Sequence, residues 1–242
     1  MSNPRLAAIK YYKKGLKAPQ GSVESQYFFD LSIQTDPTLS HAYFEKSVPY
    51  NKRGDYAEGY RLLDRAVALK PKLHLGYRGW LKLVKLKDYK GCISDLKELI
   101  RIKSDRVKNA WGENIHYLLG IALSGLYHYN DAIQEFTKAL EDHDGKVNVN
   151  VFLYRGMAHL ELTNLERAEN DFLSCLKSNE YFTEAYYYMG ILNAMRHQKA
   201  KAKLCFKKAM ELYSKGYKNK NPYNEVFKEL YLDTIWEKLE SL

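Results

Sequence analysis

The feature that most constrains this chain is a spacing. Gly120, Gly156 and Gly190 are separated by 36 and 34 residues, and Ala132, Ala168 and Ala202 follow each of them by twelve. Phe136, Phe172 and Phe206 stand four residues beyond those alanines. A step of four puts alanine and phenylalanine on one helical face, and twelve residues from glycine to alanine leave room for a helix end, a short turn and a second helix. A glycine inside a helix costs roughly 0.5–1 kcal/mol against alanine. Three in phase therefore predict a place where a second helix must come close, with the alanines as the reciprocal surface. Units of this size cannot bury a core alone and must stack.

A period near 34 residues with a small residue in the first helix and Ala-x-x-x-Phe in the second resembles the tetratricopeptide repeat. The resemblance covers about residues 4–213 and is strongest from 113 to 212. It implies an all-α fold, a right-handed α-α superhelix (a solenoid) of about six helix-turn-helix repeats plus a C-terminal capping helix. The units fall at 1–37, 38–71, 72–112, 113–147, 148–182 and 183–216, with 217–242 as the cap.

Several units depart from the pattern. In the first, Ala8, Tyr11, Tyr12 and Gly15 mark the first helix, Ser25 and Phe29 the second, and Pro37 its end. In the second, Ser47 stands twelve residues before Gly59, and Pro49 should kink the first helix or shift its start. Asp55, Asp88 and Asn164 are placed to cap second helices. In the third unit Gly79 lies thirteen residues before Cys92, one out of register, with Trp80 in place of the usual small residue. Ser104 to Gly112 predicts a longer first helix in the next unit or an exposed loop. Asp142–Gly145, reading DHDG, is a polar turn that lacks the further acidic ligands of a calcium loop. Asn221 and Pro222 then predict the start of a last helix, with Tyr223, Val226, Phe227, Leu230, Tyr231, Ile235 and Leu239 as its apolar stripe. That stripe closes the last repeat, folds into the groove or joins a second molecule.

Composition narrows the function. The net charge is +9, unevenly placed. Residues 1–23 carry five basic side chains and no acid, 72–108 eleven against four, and 199–220 eight against Glu211, whereas 109–198 hold six basic and twelve acidic. The excess is mostly lysine, without the arginine and interleaved aromatics of a dedicated nucleic-acid surface, so a solvated face is the simpler reading and nucleic acid the lesser one. The sequence has no apolar run long enough for a membrane span or signal peptide, which predicts a soluble, cytoplasmic chain with no membrane partner. Three scattered cysteines predict neither a disulfide framework nor a zinc site; Cys92 and Cys175 occupy small-residue places. The seven histidines are dispersed, with His116 and His159 at repeating helical positions. No phosphate loop, HExxH, GxSxG or CxxC is present, so neither enzyme nor cofactor is expected.

The resemblance implies a groove lined by the first helices. Its inward places are then Phe44, Tyr117, Leu153 and Tyr187, followed one turn on by Val48, Ile121, Met157 and Ile191. Asn114, Asn150 and Glu184 stand at the helix starts, and Asn51 and Lys52 toward an end. Some members of the family clamp the acidic C-terminus of heat-shock chaperones with Lys, Asn and Arg on these faces. Here they carry aromatic and aliphatic side chains, which suit an amphipathic helix or an extended apolar segment better. The expected function is a non-enzymatic protein-interaction module. The alternatives are a nucleic-acid-associated or regulatory factor using the basic zones, and a dedicated inhibitor or chaperone of one protein. The partner's identity and the oligomeric state are not encoded in any motif.

Overall fold

The structure is a computed structural model that describes residues 3–103, 108–142 and 148–242. The chain divides into two compact units, Met1–Arg78 with Lys97–Arg106 and Gly79–Leu96 with Val107–Leu242. Within the first, α1 (Pro4–Lys17) packs on α2 (Val23–Thr35), α2 on α3 (Ser40–Arg53) and α3 on α4 (Tyr56–Leu69). The division passes through α5 (Pro71–Leu81) and α6 (Tyr89–Lys103). In the second, α7 (Ile115–Gly125), α8 (Tyr129–Glu141), α9 (Val149–Glu161), α10 (Leu165–Ser178), α11 (Thr183–Met195) and α12 (Lys199–Ser214) each pack on the next. The last helix, α13 (Leu232–Glu240), packs on α12. Among the described residues no helix is long and apolar enough to cross a membrane. Among the described residues the fold is all-α apart from one short hairpin, β1 (Asn109–Ala110) with β2 (Glu113–Asn114), in antiparallel register. Trp111 and Gly112 turn it with φ of 51° and 83°, the left-handed pair that a two-residue hairpin turn requires.

The repeating glycines do let the second helix approach, but it is the phenylalanine that fills the space. A Cβ on Gly120, Gly156 or Gly190 would meet the ring of Phe136, Phe172 or Phe206 at 2.5, 2.6 and 2.5 Å. Gly15 and Phe29 repeat the relation in the first unit at 2.6 Å. Each ring of the first two regular pairs is also covered by the next pair: Tyr154 stacks on Phe136 at 6.4 Å and Tyr188 on Phe172 at 5.8 Å. One aromatic thus joins two helices of its own pair to the pair that follows.

Four expectations change. Gly79 keeps its packing place, its Cβ direction meeting Leu96 at 3.0 Å, so Trp80 does not replace the small residue. The extra residue is absorbed just after it, where Lys82–Leu86 form a π-helical turn. In other pairs the closing hydrogen bond runs back five residues, as from Asn164 N to His159 O; here it runs six, from Asp88 N to Lys82 O. α3 runs through Pro49 and starts at Ser40, so its start is not shifted. Asp88 caps α6 through Gly91 N, but Asp55 and Asn164 make no side-chain cap, because their φ and ψ near −80° and 65° lie outside the extended region a capping residue adopts. Asn3, Ser22, Asn114 and Asn148 do cap. Residues 217–231 are not helical. Asn221 caps only a single turn, accepting from Tyr223 N and Asn224 N, and Lys228 at φ 52° ends any continuation. The DHDG turn falls, after Asp142, outside the described residues.

Cys92 and Cys175 are buried among packed helices, and burial pushes the Cys92 thiol up to about 12. His116 Nδ1 sits 2.6 Å from Glu135 Oε2, a link between α7 and α8, and His159 is buried.

Candidate functional site

In the second unit the first helices of three successive pairs, α7, α9 and α11, offer one continuous face. Along α9 it is made by Asn150, Tyr154, Met157 and Glu161, at steps of four, three and four. The stretch that follows α12, residues 217–231, lies along this face as a strap. At one end Asn219 N donates to Glu184 Oε1 at 2.7 Å, and Asn219 Nδ2 to Asn150 Oδ1 at 3.0 Å. The Thr183 hydroxyl donates to Tyr217 O, and Tyr217 stacks on Tyr181 at 5.0 Å. Toward the other end the Phe227 ring sits edge-on to Tyr154 at 5.6 Å and to Tyr89 at 6.3 Å. Phe227 and Lys228 line one small pocket together with Met157. Leu230 and Ile235 then join the core of Tyr187, Ala202, Phe206 and Ala209, so α13 closes the last pair.

Ion pairs reinforce the strap. Lys218 is 3.1 Å from Glu229 within it, and its ammonium lies over the rings of Tyr213 and Tyr231. Lys85 donates to Tyr223 O at 2.9 Å. Lys87 to Glu225 at 3.8 Å and Lys228 to Glu161 at 3.7 Å are longer and exposed, so each contributes little. Burial raises the Glu184 carboxyl above its ordinary range, partly offset by backbone hydrogen bonds, that from Asn219 among them. Burial likewise raises the Tyr154 phenol, with the Glu184 and Glu229 carboxylates adding to it.

Between the strap and the α5 end of the face lies a cavity of about 440 Å³. Trp80, Trp111, Tyr117, Ile121 and Tyr154 supply its apolar wall, and Glu113, Asn148, Asn150 and the strap's Asn221 and Asn224 its polar rim. Amide and carboxylate groups thus set hydrogen-bond donors and acceptors beside an aromatic wall. Among the described residues there is no cluster of three metal-ligating side chains.

The structure brings Tyr117, Ile121 and Asn150 together on the cavity, sets Met157 in one small pocket with the strap's Phe227 and Lys228, and gives Glu184 the strap's backbone. Leu153 and Tyr187 are instead core residues of their own pairs, where Tyr187 meets Phe206 at 5.7 Å; Tyr117, at the same place before Gly120, reaches both Phe136 at 6.5 Å and the cavity. Ile191 packs half-buried against the same core. Asn114 is used as a cap, accepting from His116 N and Tyr117 N. Phe44, Val48, Asn51 and Lys52 belong to the first unit and not to this cavity; Phe44 stacks on His74, Val48 and Asn51 are buried, and Lys52 bonds Gln20. The residues missed are Tyr154, Tyr89, Trp80 and Trp111, and the strap's hydrogen-bonding residue Asn219. Counting four from Asn150 identifies Tyr154; the apolar stripe of 223–239 allows the groove as a place for the strap but not its irregular backbone.

No protein-family model and no curated protein sequence matches the chain. Solved structures do. The chain is similar to YrrB, described as a TPR protein with an unusual peptide-binding site, at 19% identity over 77% of this chain and 92% of that one, with a TM-score of 0.60. PilF of Pseudomonas aeruginosa matches at 15% identity over 88% and 95%, TM-score 0.63. A tetratricopeptide repeat protein from Parabacteroides merdae matches at 16% over 99% and 98%, TM-score 0.59.

Proposed function

We propose, from the premise that this chain has the tetratricopeptide-repeat fold, that it is a non-enzymatic protein-interaction module whose second unit receives an extended segment of a partner protein. The observation that carries this reading is the strap. A polypeptide with irregular backbone already lies on the α7, α9 and α11 face, held by an amide on Asn150, a backbone N–H on Glu184 and one ring beside Tyr154. A surface that satisfies one such segment has the donors, acceptors and apolar slot for another. The similarity to a repeat protein with a peptide-binding site gives the same direction. A cytoplasmic setting fits three free cysteines, two of them fully buried.

The basic zones favour this reading over nucleic acid. Several of their cations are already engaged with the chain's own carboxylates: Lys82 with Asp95, Arg101 with Glu98, Lys108 with Asp142, and Lys208 and Lys215 with Glu211. A phosphate-binding stripe keeps its cations outward for the ligand.

The test is a random-peptide display selection against the full chain, followed by affinity measurements on Trp111→Ala and Asn150→Ala. Selected peptides should lose about tenfold or more on each variant while the thermal melt is unchanged. Peptides that bind both variants as tightly as the parent chain would show that the cavity is not the receiving surface.

A further inference from the structure

The strap is tied firmly at its two ends and lightly in between. Tyr217 is pinned by Thr183 and Tyr181 on one side, and Leu230 and Ile235 are buried on the other. Between Asn219 and Leu230 the apolar hold is the Phe227 ring; beside it are the Lys85 hydrogen bond to Tyr223 O at 2.9 Å, the Lys218 pair with Glu229 near the far end and two long exposed ion pairs, while the Tyr223 side chain in the middle is 82% exposed. The stretch borders an open cavity on the same face. A segment anchored at its ends, weakly held at its centre and lying in a peptide-accepting groove is placed to leave it without unfolding the unit.

We propose that the strap is a ligand in cis. It occupies, in the free protein, the place a partner segment takes, and the partner binds by displacing it. This rests on the groove reading above and adds the chemistry of the partner. That partner is an extended segment presenting an aromatic side chain to the slot between Tyr89 and Tyr154 and, about eight residues before it, a backbone N–H and a carboxamide for Glu184 and Asn150. Those are the places of Phe227 and Asn219, eight residues apart. Tethering gives the strap an effective concentration on the order of millimolar, so a partner of equal intrinsic affinity competes poorly until the strap is loosened.

The experiment uses a fluorescent synthetic peptide with the sequence of residues 217–231 and the full-length chain. Phe227→Ala should bind the peptide at least about tenfold more tightly than the parent chain, because the cis competitor has lost its anchor. Asn219→Ala, which leaves the aromatic slot filled, should show a smaller gain in the same direction. Adding Asn150→Ala to Phe227→Ala should reverse the gain. In the parent chain, excess peptide should speed hydrogen exchange of the amides at 223–229. Equal affinity for the parent chain and Phe227→Ala overturns cis occupancy while leaving the groove reading standing. Binding to neither, or a gain indifferent to Asn150→Ala, overturns the proposed partner chemistry. The groove reading falls separately, if display-selected peptides ignore Trp111→Ala and Asn150→Ala.

Discussion

A Cβ placed on Gly120 would stand 2.5 Å from Cε1 of Phe136, inside any distance two carbon atoms tolerate. Phe136 has no exposed surface, and Tyr154 stacks behind it, so the ring has nowhere to retreat. Gly120→Ala gains up to about 1 kcal/mol of helix propensity. Overpacking a filled core costs about 1–3 kcal/mol. With the ring unable to retreat, the cost falls in the upper part of that range and the second effect should win, with a net loss of up to about 2 kcal/mol in urea unfolding. Phe136→Leu in the same chain should recover part of it, since a shorter side chain opens the space the methyl needs.

That relationship also marks how far the sequence could be read. Three glycines in phase with three Ala-x-x-x-Phe patterns fix the pairing of helices, because only a repeated close approach explains them. The same pattern does not say which neighbour fills the gap. Phe136 and Gly120 meet through the ring's reach, not through residue spacing, and the alanines are the flank of that contact. On α9 the groove side chain stands one position from the one the spacing gives, for a similar reason. Side chains three and two places before the glycine differ by about 100° around the helix, and only packing against the neighbouring pair decides that Tyr154, not Leu153, meets the strap and the cavity. The strap is legible only in part, since the apolar stripe of 223–239 allows the groove as one of its places but predicts a helix there. Its apolar residues recur at 3 and 4 spacing and imitate a helix, but they are spent singly, Phe227 on Tyr154 and Leu230 in the core of the last pair.

His74 gives the first unit a pH dependence. It is buried 3.1 Å from Ser40 Oγ, with Phe44 stacked at 5.0 Å and His41 at 5.6 Å. Burial, with the His41 charge adding, pushes its pKa from 6.5 down to about 4. Below pH 6.5 the unfolded chain binds a proton that the folded chain refuses until about pH 4. The contribution is therefore intact above 6.5 and lost as pH falls through that window, by up to about 3 kcal/mol. Urea unfolding of the parent chain and His74→Gln at pH 7.5, 6, 5 and 4.5 reads it as a difference in which shared carboxylate effects cancel. The parent should lose stability relative to the variant as pH falls; parallel curves would mean His74 is protonated in the folded state.

The π-helical turn at Lys82–Leu86 has a sharper consequence. It holds one residue more than the corresponding turn of the regular pairs, as the six-residue closure from Asp88 N to Lys82 O shows against five from Asn164 N to His159 O. Deleting the half-exposed Leu86 should let the turn relax to a regular closure and cost less than about 1 kcal/mol, since Gly79 and Leu96 already hold the pair in register. Deleting Leu162 from the five-residue closure after α9 leaves no surplus. It must pull the end of α9 or the start of α10 out of phase by about 100°, exposing Phe172 or uncovering Gly156, and should cost about 3 kcal/mol or more. The extra residue is kept, on this argument, for what it presents. Val84 and Lys87 line the cavity, and Lys85 reaches the strap at Tyr223 O. The Leu86 deletion should therefore leave the urea midpoint nearly in place while weakening the binding of display-selected peptides several-fold. A deletion that unfolds the chain would show the turn to be structural, and one that leaves both properties unchanged would detach it from the groove.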